Sequence, residues 1–171
     1  SSWYPWSIYR MIVFLLHEED FKGAERYFES LHKKFPYHKL SYEVALQLGI
    51  RKAQEKEYES ALDYLTIAAG SSNNSIARSA FCWQGEMYFT LHEYQKAWDA
   101  YQQVIDERVS SKDMLSALAY LEMGNIRHLL NDYKKAKEVH KKALEISGDE
   151  QFKEKVKLLL KDLKEAHQGG T

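Results

Sequence analysis

Histidine, cysteine and acidic side chains are the residues through which this chain could bind a metal or transfer protons. Its seven histidines are spread from His17 to His167, and no two have the His-x-x-x-His or His-Glu-x-x-His spacing of a helical zinc site. The single cysteine, Cys82, excludes an intramolecular disulfide and a cysteine-based metal site. We therefore interpret the histidines as surface or packing residues. Only His128, which lies near Asn125, is predicted to make a pH-sensitive contact.

The acidic run Glu18-Glu19-Asp20 is the other candidate for ion binding. Its carboxylates are contiguous and lack the alternating ligand spacing of a calcium loop, and the run precedes a predicted helix, where acidic side chains favour the helix dipole. The glycines are isolated, so there is no glycine-rich phosphate loop and no nucleophile elbow. We predict a non-enzyme that uses no metal or cofactor.

Composition indicates an ordered, soluble chain of one domain, residues 1–171. Of its 171 residues, 44% are hydrophobic and 29% charged, which suffices for a sizeable core. The 24 basic and 25 acidic residues are mixed along the chain, so no tract is suited to nucleic acid or lipid. The apolar segment 11–16 is too short to cross a membrane. The cytoplasm is favoured as the compartment, and the bacterial periplasm or envelope stays open if a signal segment was removed.

An internal repeat organises most of the chain. A small or apolar anchor is followed by an aromatic residue nine positions on, an alanine at twelve, a bulky residue at sixteen and an apolar residue at nineteen. The anchors are Ile12, Gly49, Gly85 and Gly124, which are 37, 36 and 39 residues apart. The following members are Phe21, Ala24, Phe28 and Leu31; Tyr58, Ala61, Leu65 and Ala68; Tyr94, Ala97, Tyr101 and Val104; and Tyr133, Ala136, His140 and Ala143.

Each copy of the repeat predicts two amphipathic helices joined by a short polar turn. The small anchor and the alanine are expected where the two helix backbones approach most closely, with Gly85 facing Ala97 and Gly124 facing Ala136. After the fourth copy, one more amphipathic segment follows, 149–167, with apolar residues on one side and lysines on the other. A helix with one wet face is what the end of a helical stack needs.

These residues resemble the tetratricopeptide repeat, most closely in the third copy. The resemblance implies an all-α fold, a right-handed α-solenoid of four antiparallel helix hairpins with a ninth, capping helix. The repeats are predicted at 5–38, 42–74, 78–111 and 117–148. Lys52 and Arg127 replace the usual aromatic residue, which predicts looser packing there. The motif residues of the third copy are Phe81, Gln84, Gly85, Tyr88, Tyr94, Ala97, Tyr101 and Val104.

The resemblance also implies a protein-interaction scaffold that binds a peptide or helix of a partner on its concave face, which the first helices line. Side chains two or three residues before each anchor, and one or four after it, should face that side. The basic clamp that some members use for a C-terminal carboxylate is absent. Trp83 is the expected hot spot, although some of these side chains could instead be covered by neighbouring repeats. The predicted partner-binding residues are Tyr9, Arg10, Leu46, Gln47, Ile50, Trp83, Glu86, Leu121, Glu122, Asn125 and His128.

An alternative function is self-assembly into a homo-oligomer, through either the concave face or the aromatic N-terminus. Trp3 and Trp6 lie in the first predicted helix, which no preceding repeat covers, so they could contact another copy of the chain. They could equally pack back onto the helix 21–34. The segment 77–106 is also similar to repeats of bacterial cell-envelope proteins, so the assembly could belong to an envelope complex.

Overall fold

The computed structural model describes residues 3–105 and 113–168, with side chains described as far as 165. Within these ranges the chain forms nine α-helices and no β-strand. The end predicted for the third repeat, 106–111, and the side chain of His167 lie outside the described residues. The helices are α1 Trp3–His17, α2 Phe21–Lys34, α3 Lys39–Gln54, α4 Tyr58–Ala69, α5 Asn74–Thr90, α6 Tyr94–Val104, α7 Met114–Leu129, α8 Tyr133–Ile146 and α9 Glu150–Gln168.

The helices pair as the repeat predicts, and each second helix begins at the aromatic residue of its copy. Helix α1 packs on α2, α3 on α4 and α7 on α8, while α9 packs on α8. The α-helical hairpin fold with a ninth helix is therefore confirmed within the described residues. None of the described helices combines the length and apolar character that crossing a bilayer requires.

A left-handed backbone residue recurs in the turn of every hairpin, seven positions after each anchor. These residues are Glu19 (φ 59°), Lys56 (63°), His92 (61°) and Asn131 (59°). Asparagine and histidine are enriched in this region and glutamate and lysine are not, and none of the four is the glycine that would adopt it without strain. The conformational cost of the turn is therefore largest at Glu19 and Lys56.

The residue after each left-handed residue is the N-cap of the second helix. Asp20 Oδ1 accepts a hydrogen bond from the Gly23 amide at 2.9 Å, and Asp132 Oδ1 accepts one from the Lys135 amide at 3.2 Å. Such bonds satisfy amide groups that have no partner inside the helix. The predicted helix-entry role of the run that ends in Asp20 is confirmed for that residue.

Each glycine anchor lies directly against the bulky residue that follows it by sixteen positions. That residue, and not the alanine twelve positions after the anchor, would be the first to meet a side chain at the glycine. A Cβ on Gly49 would lie 2.8 Å from Leu65 Cγ, and one on Gly85 would lie 2.6 Å from Tyr101 Cε1. A Cβ on Gly124 would overlap the His140 ring. The prediction that Gly85 and Gly124 lie directly against alanines is therefore wrong. The nearest contact falls one helical turn further along the second helix, where a large side chain crosses over the bare glycine backbone.

Contacts divide the chain into two compact units after Gln84. The core of the first unit contains Ile12, Phe28, Leu48 and Leu65, all buried. The core of the second contains Tyr101, Ile126, His140 and Val156, among others. The single domain predicted for residues 1–171 stays a prediction.

Candidate protein-interaction surfaces

Three apolar side chains on α3 and α5 of the first unit are only partly buried. The α3 residues Val44, Ala45 and Leu48 are buried in the core. Leu46 and Ile50, one turn apart on α3, are half-buried, as is Trp83 on α5. A helix whose apolar residues extend beyond its core-facing stripe exposes a surface suited to a partner. We call Leu46, Ile50 and Trp83 the apolar row; the exposed Gln47 lies between the first two on α3.

Tyr9 lies beside this row but already has partners within the unit. Its hydroxyl donates a hydrogen bond to Glu43 Oε1 at 2.8 Å, which ties α1 to α3. The Trp6 ring meets the Tyr9 ring edge-on, with 5.8 Å between centroids. Burial, and then the hydrogen bond and charge of Glu43, raise the pKa of Tyr9. Tyr9 therefore positions the first helices, and the exposed Arg10 beside it is free of the core.

In the second unit the corresponding face is polar. Glu86 is in contact with solvent and Glu122 is half-buried. Partial desolvation of the Glu86 carboxylate by its neighbours, and then the charge of Glu122, raise the pKa of Glu86. Asn125 Nδ2 donates to Glu122 Oε2 at 3.1 Å, and Asn125 Oδ1 accepts from His140 Nε2 at 3.2 Å. The fully buried His140 is thus linked to the predicted binding residues. Sequence reasoning missed this link because it placed His140 in packing alone.

Leu121 is a correction to the predicted binding surface. Its side chain is 1% exposed and packs in a cluster with Ala143 and Val156, flanked by Phe152 and other apolar residues. The capping helix α9 supplies Val156 and Phe152, so it covers the position that was expected to be open. Leu121 therefore holds α9 in place and is unavailable to a partner.

The histidines and acidic residues form no metal site within the part of the chain that is described. No group of three or more histidine, cysteine or carboxylate side chains there could hold a metal ion. His128, predicted as a pH-sensitive contact, is half-buried, and its ring meets that of Tyr133 with 5.6 Å between centroids. Its role towards a partner stays a prediction.

The outward side of α1 is the most exposed apolar surface of the first unit. Trp3 is 79% exposed, Phe14 57%, Trp6 42% and Met11 41%. The alternative in which the tryptophans pack back onto α2 is not what the structure shows. Tyr4 makes that contact instead, with its hydroxyl 2.6 Å from Lys34 Nζ and its ring 5.9 Å from that of Phe35.

The two positions that depart from the repeat pattern make specific contacts between neighbouring repeats. Lys52 Nζ lies 2.8 Å from a carboxylate oxygen of Glu25 and 2.9 Å from one of Glu57. The Arg127 guanidinium lies over the Trp98 ring, 4.2 Å from its centroid. An ion pair and a cation–π contact replace the aromatic packing there. Whether the packing is looser at these two positions stays a prediction.

Solved structures with the same helical architecture are known, although comparisons by sequence find no match. No family model matches the sequence, and no curated protein matches it either. A solved tetratricopeptide repeat protein from Parabacteroides merdae is similar with a TM-score of 0.74 and 18% identity over 96% of this chain, which spans 61% of that protein's length.

MamA is similar with a TM-score of 0.70 and 20% identity, over 98% of this chain and 90% of its own. A protein with tetratricopeptide repeats from Bacteroides fragilis gives 0.56 and 18%, over 89% and 66%. With its nine helices in the described ranges, its helix-opening aromatic residues and its buried small anchors, the chain has the fold of the tetratricopeptide repeat proteins.

Proposed function

We propose that this chain is a non-catalytic scaffold whose first unit binds an apolar or amphipathic segment of a partner protein on the side that carries the apolar row. The observation that carries the proposal is the apolar row, where Leu46, Ile50 and Trp83 are only partly buried although the core-facing α3 residues beside them are fully buried. Apolar side chains left beside polar neighbours are typical of a peptide-binding groove.

Trp83 is the proposed anchor of this contact. A large rigid ring buries much area when a partner covers it and loses little conformational entropy. The exposed Gln47 and Arg10 would contact polar groups of the same segment. On the second unit, Glu86 and Glu122 are proposed to contact a basic side chain, since a nearby positive charge would relieve the cost that raises the pKa of Glu86.

Selection of peptides tests this proposal. A phage-displayed library of random peptides is selected on the wild-type chain, and the enriched peptides are synthesised and titrated. We expect apolar or amphipathic sequences whose affinity falls at least about tenfold with Trp83→Ala or Leu46→Glu, because truncating an interface anchor costs about 2 kcal/mol or more.

Leu158→Glu, at an exposed leucine on α9, is the matched control and should leave peptide affinity unchanged. Circular dichroism checks that each variant stays helical. Peptides that bind the folded Trp83→Ala and Leu46→Glu variants as tightly as the wild type would show that the apolar row is not the binding site.

We also propose self-association through the N-terminal end as a second function. The supporting observation is the exposure of Trp3 and Trp6 beside Phe14 on one side of α1. A contiguous patch of this size is uncommon on a surface that only meets water. Light scattering over a concentration series measures it directly, and a mass that stays monomeric throughout would refute it.

A further inference from the structure

The outward side of α1 has the composition of an interface centre. We define the outer face of α1 as Trp3, Trp6, Ser7, Arg10, Met11 and Phe14, which recur at steps of three and four residues. Ile8 and Ile12 on the opposite side are buried against the rest of the unit. Arg10 is the one charged residue that α1 contributes to the outer face, Lys39 Nζ lies 5.2 Å from the centroid of the Trp6 ring, and none of the six residues is a carboxylate. Aromatic residues, methionine and arginine are the types that protein interfaces favour.

We infer that a second copy of this chain covers the outer face, with the two α1 helices packed antiparallel about a two-fold axis. This inference rests on the second of the proposed functions. Trp3 and Phe14 are eleven residues apart, a rise of about 16 Å along the helix. Ser7 and Arg10 lie on either side of the midpoint. A two-fold axis there places Trp3 of each copy against Phe14 of the other, and the small Ser7 lets the helices approach closely.

Arg10 fits this arrangement without an acidic partner. In the antiparallel pair each Arg10 reaches an aromatic ring of the other copy, either Trp3 or Trp6. The chain uses the same contact twice internally. The Arg51 guanidinium lies 4.1 Å from the centroid of Phe21, and that of Arg127 lies 4.2 Å from the centroid of Trp98. Arginine stacks on aromatic faces because its planar cation is weakly hydrated.

The exposed area matches a weak dimer. The exposed fractions of Trp3, Trp6, Met11 and Phe14 amount to roughly 450 Å² of side-chain surface per copy, taking about 200 Å² for each side chain. Two copies with their polar rim therefore reach about 1,000 Å², near the lower limit of specific interfaces. We expect a dissociation constant in the micromolar range, on the order of 10 µM.

A head-to-tail arrangement fits less well. It would place the outer face of α1 on α9, whose exposed leucine, Leu158, is flanked within one turn by exposed charges of both signs, Glu154, Lys155, Lys161 and Asp162. The outer face carries a single charge, Arg10, so most of those charges would lose water without gaining a partner. The symmetric pair buries the apolar outer face of one copy against the same face of the other. A two-fold interface of this kind is complete in a dimer and adds no further copies.

Sedimentation velocity on the full chain tests the interface. The mass is expected to rise from 20.1 kDa towards twice that value as concentration increases through the micromolar range. Phe14→Glu should raise the dissociation constant at least about 100-fold, because it removes an aromatic contact and buries a carboxylate twice in a symmetric interface. Leu158→Glu, an equally exposed site on α9, should leave it unchanged.

Cross-linking tests the two-fold geometry. In a Cys82→Ser background, Ser7→Cys places a thiol next to the axis in both copies, so oxidation is expected to give a covalent dimer. Leu158→Cys in the same background should stay monomeric on denaturing gels. A dimer that is unaffected by Phe14→Glu, or that cross-links through Leu158→Cys instead, would overturn this pairing while leaving self-association intact. A chain that is monomeric up to about 1 mM would overturn both.

Discussion

Replacing Lys56 by glycine should stabilise the chain. Lys56 is exposed and has φ 63° in the turn between α3 and α4, and its amide donates to the Ala53 carbonyl at 3.0 Å. A side chain with a Cβ costs about 1–2 kcal/mol in this left-handed region. Glycine removes that cost and keeps the amide hydrogen bond. Glycine also gives the unfolded state more conformational freedom, which reduces the gain in stability by about 0.5–1 kcal/mol.

The net gain is expected to be about 0.5–1 kcal/mol. For a chain of 171 residues this corresponds to a rise in Tm of about 1–4 °C. Urea unfolding followed by tryptophan fluorescence measures it, because Trp6 and Trp83 belong to the same unit as Lys56. The midpoint should rise while the slope m stays unchanged, since the substitution alters neither the surface exposed nor the fold.

Three matched variants separate the backbone effect from other causes. Lys56→Ala keeps the Cβ and should give no gain. Asn131→Gly, at φ 59°, should give a smaller gain, because asparagine already tolerates the left-handed region. Lys141→Gly, at an exposed position inside α8, should lose about 1 kcal/mol. A Lys56→Gly variant no more stable than Lys56→Ala would refute the reasoning.

Three further predictions concern the core and the contacts between repeats. Gly85→Ala should lower the free energy of unfolding by about 1–2 kcal/mol despite its better helix propensity, since a Cβ would lie 2.6 Å from the Tyr101 ring; an unchanged urea midpoint would contradict this. Burial lowers the pKa of His140, so the unfolded state binds the proton more readily, and stability should fall as pH drops through about 6.5, by at most about 1.4 kcal/mol per pH unit. His140→Tyr, the residue type found at the same repeat position as Tyr101, should flatten this pH dependence in urea melts from about pH 7.5 to 5, and an equally steep variant would exclude His140 as its source. Arg127→Lys should cost about 0.5–1 kcal/mol through loss of the stacking on Trp98, and in a double-mutant cycle with Trp98→Leu that cost should disappear.

The helices and their pairing were predictable because their signals are local. Aromatic residues such as Tyr94 and Tyr133 mark the first residue of a second helix, and the structure begins α6 and α8 there. Periodicity of three and four residues reports directly which side of a helix meets the core. The lysine-rich ninth helix was predictable for the same reason, since its buried Val156 and Leu163 share one side.

The left-handed turns were not predictable from residue types. Glu19 and Lys56 are poor choices for positive φ, and the packing of the two flanking helices holds them in that conformation. The residue of the second helix that lies nearest to each glycine was also not predictable. Whether Gly85 lies against position twelve or sixteen depends on how far one helix is shifted along the other, which no single-helix pattern records.

The sequence by itself determined that the chain is an array of helical hairpins. A four-fold repeat of small, aromatic and apolar positions buries its apolar sides when each pair of helices packs together and neighbouring pairs stack. Only the tertiary structure decided which of the remaining apolar residues meet solvent. Leu46 and Leu121 both lie three residues before their anchors, yet Leu46 is only partly buried and Leu121 is fully buried against α9. Exposure is a property of neighbours distant in the chain, and the surfaces proposed for partners depend on those neighbours.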